Sequence, residues 1–348
     1  FMMCELRLKY IDVLWSRGMK VLITGGAGFL GLTLARQLCA KSHLSLGRNS
    51  QQVIDCIVLN DTVIPPTRPE GLDERVSFVA GDISDRDTVG KLVDRDDIVV
   101  FHLASIVSAG GEADFDLAIR VNLTGTLNIL EAARARAGGP RVVFASSTAV
   151  FGGQSMPGIV SDLTKQTSQT TYGMTKTIGE LLINDYSRKG FIDGRSARLP
   201  HIIVRPGRPN AAASSFCSGV FREPLNGEDF AVPVPPQTLL PLLGYRSCVQ
   251  SFIHLAELPA DVLGDDRAVF LRNQGHTVHE MIETLKEVAQ RNNLVLGKIT
   301  MSHDPVVAKI IQGWPSQIDA ARAERLGFPA DTDLDRVVQD FIDDFMPC

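Results

Sequence analysis

Short apolar runs recur between residues 19 and 205, each separated from the next by a polar or amphipathic stretch. Val21-Leu22-Ile23 reads as a buried strand, followed by a glycine-rich turn and an amphipathic helix through Ala40. Residues 41–52 are polar, and residues 55–59 predict a second strand ending at Asn60-Asp61. Residues 76–79 predict a third strand, closed by Gly81-Asp82, and residues 98–103 a fourth. Helical periodicity runs over residues 115–136. Residues 141–145 predict a fifth strand, residues 172–187 the next helix, and residues 201–205 a sixth strand. Short apolar strands alternating with helices make a parallel sheet covered on both faces. Its connections are right-handed. The expected fold class is α/β, doubly wound.

Beyond Arg205 the alternation stops. Pro206, Pro209, Pro224, Pro233, Pro235, Pro236 and Pro241 predict a loop-rich region with short strands. Residues 250–263 predict one more strand and helix returning to the first part. Residues 278–290 predict a helix, and Asp333 a cap for a helical tail. The expected domains are a dinucleotide-binding domain at 19–206, to which 250–265 return, and a smaller interleaved substrate part at 207–249 and 266–348. Residues 1–18 have mixed charge and lack the segment order of a signal peptide. They read as an N-terminal extension, with a surface helix as the competing reading.

Composition narrows the partners. The net charge of −5 comes without a basic tract, which argues against nucleic acid and charged membrane surfaces. No apolar run is long enough to cross a bilayer. The six cysteines are dispersed with no C-x-x-C, so a disulfide framework or zinc site is not expected. Reduced thiols and a cytoplasmic location are expected. His43, His102, His201, His254, His276, His279 and His303 show no metal-ligand spacing, and His102 reads as a structural histidine at a strand end.

Two local patterns carry chemistry. Gly26, Gly28 and Gly31 form G-x-G-x-x-G, and Gly25, Gly28 and Gly31 form G-x-x-G-x-x-G. Glycines after a strand and before a helix allow a tight turn, close backbone approach to a pyrophosphate, and a helix N-terminus facing the anion. That context identifies a Rossmann-type sheet binding a dinucleotide. An acidic residue ending the second strand would bind ribose hydroxyls; Asp61 is the candidate, with Asn60 as the alternative. The polar stretch at 41–52, read as a loop insertion, accounts for its distance from the glycines. A carboxylate there favours NAD over NADP. Asp82 could accept from an adenine amino group, or simply cap a turn. The second pattern is Tyr172 and Lys176, four apart on one helix face. A neighbouring ammonium favours the phenolate, so the pair is a candidate acid/base.

In order along the chain, several runs resemble the motifs of the extended short-chain dehydrogenase/reductase family. They are the glycine loop at 24–31, Gly81-Asp82-Ile83, His102-Leu103-Ala104-Ser105, Val121-Asn122-Leu123-Thr124-Gly125-Thr126, Ser146-Ser147 before Val150-Phe151-Gly152, and Tyr172-x-x-x-Lys176. Ser251-Phe252-Ile253-His254 resembles an R-D-F-I-H strand of its sugar-nucleotide members, but Gln250-Ser251 stands where R-D would be. Ser105 and Phe151 also depart from the family's usual Ala and Tyr.

The resemblance implies Ser147, Tyr172, Lys176 and Asn122 as the catalytic set. Ser147 would orient the reacting oxygen, and Asn122 would support Lys176 through backbone or water. It implies cofactor contacts from Gly25, Gly28, Phe29, Leu30, Gly31, Asp61, Asp82, Ile83, Leu103, Ala104 and Ser146, with Tyr172 and Lys176. The runs Val204-Arg205-Pro206-Gly207-Arg208-Pro209-Asn210 and Gly313-Trp314-Pro315 are similar to those of members that oxidise small aldonates. That likeness implies NAD-dependent oxidation of a 2-hydroxy group, with D-erythronate as the implied substrate. Arg208 is the candidate for the substrate carboxylate, or for a structural salt bridge. Ser105 and Ser108 could bind substrate hydroxyls or cap their loop. Arg222 is a weaker substrate candidate. A nucleotide-sugar epimerase/dehydratase, a bulky-substrate dehydrogenase and a non-catalytic NAD sensor remain as rivals. The family also implies a homodimer through the helices at 115–136 and 172–187.

Overall fold

The structure is a computed structural model that describes residues 18–47, 51–207, 214–302 and 304–346. The expectations placed on 1–17, on Arg208 and on His303 lie outside the described residues.

β1 (Met19–Thr24) leads through α1 (Phe29–Lys41) into a hairpin of β2 (His43–Ser45) and β3 (Gln51–Asp61). Then come β4 (Val76–Ala80), α2 (Arg86–Leu92) and β5 (Ile98–His102). α3 (Ser108–Ala113) and α4 (Phe115–Ala118) precede a π-helical turn at Ile119–Thr124, which runs into α5 (Gly125–Arg134). β6 (Arg141–Ser147), β7 (Ile159–Val160), α6 (Thr171–Arg188) and β8 (Asp193–Leu199) follow. The large sheet also includes β12 (Ala268–Phe270). Its order is β4-β3-β1-β5-β6-β8-β12, all parallel, with β2 antiparallel on β3. The chain winds one way from β1 and the other way from β5. The switch point, where open α/β sheets bind ligands, therefore lies between β1 and β5.

Alternation along each strand explains the two covered faces. Val21, Ile23, Val99, Phe101, Val143 and Ala145 pack into a core with α1. Leu22, Ile98, Val100, Val142 and Phe144 point the other way, against α2, α5 and α6.

The hairpin corrects one expectation. The polar stretch at 41–52 is not a loop insertion, because β2 pairs with Gln51, Gln52 and Val53 at the start of a long β3.

β8 corrects a second. The sixth strand of the large sheet is Asp193–Leu199, whereas His201–Ile203 is β9 of a separate three-stranded sheet. Arg195, Ser196 and Arg198 hide β8 from an apolar-run reading, yet all three are buried. The two arginines find partners on opposite faces, although the buried Nε of Arg195 meets none among the described residues. Arg195 donates to the carbonyls of Leu255 and Leu258 at 2.7 and 2.8 Å, at the C-terminal end of a helix. A cation there complements the helix dipole. Arg198 meets carboxylates on the opposite face.

α7 (Ser215–Leu225), β10 (Phe230–Val232), β11 (Leu239–Gly244) and α8 (Tyr245–Glu257) come next. α8 is the helix that Arg195 caps, and it overturns the predicted strand near residue 250. Ser251, Phe252, Ile253 and His254 are helical, so their likeness to a strand motif does not hold. Cys248, Val249, Phe252, Leu255 and Ala256 recur at helical spacing and bury against β6 and β8. The return to the large sheet extends to β12, beyond the expected limit of 265.

β13 (Gln274–Thr277), α9 (Val278–Arg291), β14 (Ile299–Met301), α10 (Pro305–Gln312), β15 (Gln317–Ile318), α11 (Ala321–Arg325) and α12 (Leu334–Phe345) complete the chain. Asp333 caps α12 as expected. A second core joins α7, α9 and α12 with β9 and β11. Among the described residues no helix is long and apolar enough to cross a membrane.

Candidate active site

A cleft of about 710 Å³ opens at the C-terminal ends of β1, β3, β5 and β6. That volume suits a dinucleotide and a small substrate.

The glycine loop forms its floor. Gly25 has φ +68°, and a Cβ there would lie 2.8 Å from the Ala104 nitrogen. A Cβ on Gly31 would lie 2.5 Å from the Gly25 carbonyl oxygen, so the helix start seats tightly on the turn. Gly28 is the N-cap of α1; it supplies no side-chain acceptor, and the first turn has no acidic residue. The helix therefore turns its free N–H groups and positive end to the cleft.

Asn60 and Asp61 have separate roles. Asn60 is buried and donates to the carbonyls of Val79 and Gly81, both at 3.1 Å, tying β3 to the next turn. Asp61 lines the cleft, where its carboxylate accepts from the Ala27 and Thr62 nitrogens at 3.2 and 2.8 Å. Asp82 lines the cleft too, but it accepts from Ser84 N at 2.8 Å and pairs with Arg120 at 3.2 Å. The turn-capping alternative for Asp82 is thus present in the structure.

His102 is buried in a hydrogen-bonded chain that fixes its tautomer. Thr126 Oγ1 donates to the Asn122 carbonyl at 2.6 Å, so it accepts from His102 Nε2 at 3.0 Å. Nδ1 is then bare and accepts from Thr24 Oγ1 at 2.7 Å, while Ala104 N donates to Thr24 Oγ1 at 3.2 Å. Burial, and secondarily the charge of Lys176, lower the His102 pKa to about 3. The imidazole is neutral and structural, as its strand-end position suggests.

Tyr172 and Lys176 sit on α6. Thr170 caps the helix by accepting from Gly173 N at 3.0 Å, and Glu112 accepts from Thr171 N at 2.8 Å. A Cβ on Gly173 would fall 2.0 Å from the Ala149 carbonyl oxygen, so glycine lets Tyr172 approach the turn after Ser147. Tyr172 and Ser147 line the same cleft. The Lys176 ammonium lies 4.7 Å from the Phe144 ring centroid and 5.5 Å from that of Tyr172.

The electrostatics differ from the expectation that Lys176 lowers the Tyr172 pKa. Burial pushes the phenol up, and the nearby Ser147 hydroxyl opposes it. Burial also pulls Lys176 down to about 7, with the Glu180 charge acting the other way. A lysine so desolvated carries a charge that neutral pH can remove.

Glu180, one turn beyond Lys176, was not singled out by the sequence patterns. It is buried and accepts from Ser146 Oγ at 2.5 Å and from Arg198 at 2.7 and 3.0 Å. Arg198 continues to Asp162 at 3.3 Å and lies beside the stacked Phe151 and Phe270 rings.

Asn122 lies behind the cleft, in the π-helical turn. Its side chain accepts from Ile106 N at 2.7 Å and donates to Ile106 O at 2.9 Å and to Thr175 Oγ1 at 3.2 Å. It fastens the 103–106 loop to α6 at Thr175, next to Lys176 in sequence; none of these bonds reaches Lys176 itself. Ser105 lines the cleft and donates to Ile106 O at 3.3 Å. Ser108 is not among the cleft-lining residues and instead begins α3. Gly25, Gly28, Phe29, Leu30 and Gly31 line the cleft, as do Ile83, Leu103, Ala104, Ser146 and Ser147.

Comparison with known proteins agrees with this geometry. The sequence pattern of the NAD dependent epimerase/dehydratase family matches residues 21–257. The chain belongs to that family. It is 46% identical over 327 residues to D-erythronate dehydrogenase of Cupriavidus necator, covering 94% of this chain and 98% of the relative. It is 41% identical over 325 residues to D-erythronate dehydrogenase of Haemophilus influenzae, covering 93% and 99%. Among solved structures it resembles a nucleoside-diphosphate-sugar epimerase from Agrobacterium tumefaciens, at 38% identity, TM-score 0.85 and 96% coverage of each chain. The family description gives a nicotinamide cofactor, and the glycine floor, helix N-terminus and Asp61 suit one.

Proposed function

We propose that this chain is an NAD-dependent dehydrogenase acting on the 2-hydroxy group of a small aldonate, converting D-erythronate to 2-oxo-D-erythronate. The observation that carries the reading is the full-length likeness to two D-erythronate dehydrogenases, with Tyr172, Ser147 and Lys176 lining one cleft.

In this reading the N–H groups at the start of α1 hold the pyrophosphate. Asp61 accepts from the adenosine ribose hydroxyls and disfavours a 2′-phosphate. Asp82 and Ile83 flank the adenine, and Leu103, Ala104 and Ser146 flank the nicotinamide. The nicotinamide, when bound, supplies the hydride acceptor. Ser147 donates to the substrate oxygen and fixes its direction. Tyr172 takes the hydroxyl proton as the C2–H bond breaks. Lys176 places positive charge beside the phenolate and binds the nicotinamide ribose. The smaller C-terminal part acts on the substrate side through α7, which holds the main chain of residue 205 at the cleft. A homodimer through the helices at 115–134 and 171–188 accords with exposed Phe115 and Leu181.

NADH formation across erythronate, threonate and related aldonates, beside UDP-sugars, tests the function. Erythronate-dependent NADH is the expected result. Conversion of UDP-sugars alone, without net NADH, would establish instead the epimerase reading that the A. tumefaciens likeness favours.

A further inference from the structure

The cleft is lined by two arginines, and among the described residues only one has a counter-ion. Arg120 pairs with Asp82. Arg205 shares the lining with Tyr172, Ser147 and Ser105, and among the described residues no carboxylate engages its guanidinium. Its main chain, in contrast, is firmly held. Arg205 N donates to Ser218 Oγ at 3.0 Å, and Arg205 O accepts from Arg222 Nη1 at 2.8 Å. Arg222 is 3% exposed and spends its remaining charge on Glu223, at 2.5 Å. α7 thus clamps the backbone of residue 205, while its exposed side chain stays available to the cleft.

The surroundings suit an anion. Although the residue is exposed at the cleft, partial desolvation and then the nearby Arg222 charge lower the Arg205 pKa, so a counter-charge would be stabilising. The two carboxylates lining the cleft, Asp61 and Asp82, are tied to the glycine loop and to Arg120. The wall next to Arg205 is Leu199, Pro200 and Ile202, which offers no competing charged side chain.

Resting on the aldonate reading, we infer that Arg205 is the carboxylate anchor of the substrate. A guanidinium fork binds both oxygens of a carboxylate and fixes its plane. In a 2-hydroxy acid the carboxylate carbon is bonded directly to the reacting carbinol carbon. A cation lining the same cleft as Tyr172 and Ser147 therefore sets which hydroxyl is presented to them. Arg222, a weaker substrate candidate from sequence, acts on this anchor through the main chain.

The test is steady-state kinetics of the full chain as wild type, Arg205→Lys and Arg205→Met, with D-erythronate and with the neutral erythronamide. A lost charge-assisted bond predicts an erythronate KM raised about 10- to 100-fold in Arg205→Met. The KM for NAD stays unchanged, and Arg205→Lys falls between the two because it lacks the fork. Erythronamide turnover is expected to be poor in the wild type and little changed in the variants. An unchanged erythronate KM in Arg205→Met, or an equal loss with the amide, overturns the anchor alone. A wild type that oxidises no aldonate overturns the functional reading and the anchor with it.

Discussion

The two walls of the cleft are built differently. The cofactor wall comes from compact segments, at 25–31, 60–62, 81–83 and 103–107, each directly after a strand of the large sheet. The substrate wall at 199–205 follows β8 and is held by α7. A pyrophosphate is bound largely by backbone, so its wall needs glycine and strand-end geometry, which leave a sequence pattern. A small acid is bound by side chains. One arginine at the right place suffices, and it resembles any other arginine in the sequence.

Tyr172 stands where the walls meet, so its removal has the largest expected effect. Tyr172→Phe keeps the ring over which Lys176 sits but removes the proton acceptor. It is expected to lower kcat by about 10²- to 10⁴-fold while leaving the KM for NAD unaltered. Steady-state turnover checks this, and a phenylalanine variant with undiminished kcat would refute the assignment.

The next test strikes the frame behind both walls. Glu180→Gln leaves Arg198 buried with a weakened partner set, since Arg198 meets Glu180 through three bonds of 2.7 to 3.2 Å. Breaking a buried pair from one side costs about 3–5 kcal/mol, whereas replacing both partners often does not. Glu180→Gln is thus expected to lower the unfolding midpoint markedly, and Glu180→Gln with Arg198→Met to recover most of the loss. Denaturant unfolding decides it. Equal stability of wild type and Glu180→Gln would show that the pair does not brace the site.

This frame also marks the limit of sequence reading. The strands on either side of the switch point carry the unbroken apolar runs 21–23 and 98–101 and were legible. β8 was not, because the arginines it buries rely on partners far along the chain: α8 carbonyls for Arg195, beside its neighbour Asp193, and Glu180 with Asp162 for Arg198. Sequence spacing cannot reveal such bonds. α8 was misplaced for a related reason, since a four-residue likeness at 251–254 outweighed the helical spacing of Cys248, Phe252 and Leu255. Within the site, Tyr172, Ser147 and the glycine loop fell where their motifs put them, whereas Glu180 and Arg205 needed the fold. Arg205 did leave a trace, being three residues from the chosen Arg208 in the same run.

A substitution confined to one wall sharpens the comparison. Asp61→Asn keeps the side chain's size but removes the charge that meets the ribose. It is expected to weaken NAD binding by about 1.5–3 kcal/mol and to admit NADP. The aldonate KM, governed by the other wall, is expected to stay constant. KM measurements with NAD, NADP and erythronate separate the outcomes. A shift in erythronate KM as large as that for NAD would mean that the walls are not independent.

The smallest expected effect concerns Lys176, which both walls share. Its ammonium is held at about 7 in the folded chain, below its ordinary 10.5, chiefly by burial. Between those values the unfolded chain binds more protons than the folded one, so stability rises with pH. Below pH 7 both states hold the proton, and the full desolvation penalty remains. Compared with Lys176→Met, the wild type should therefore gain up to about 1.4 kcal/mol per pH unit above pH 7, and nothing below it. Unfolding of both proteins from pH 6 to 9 measures that difference. A gap that does not change with pH would mean that Glu180 holds Lys176 charged throughout, placing the carboxylate's charge, and not burial, in control of the site.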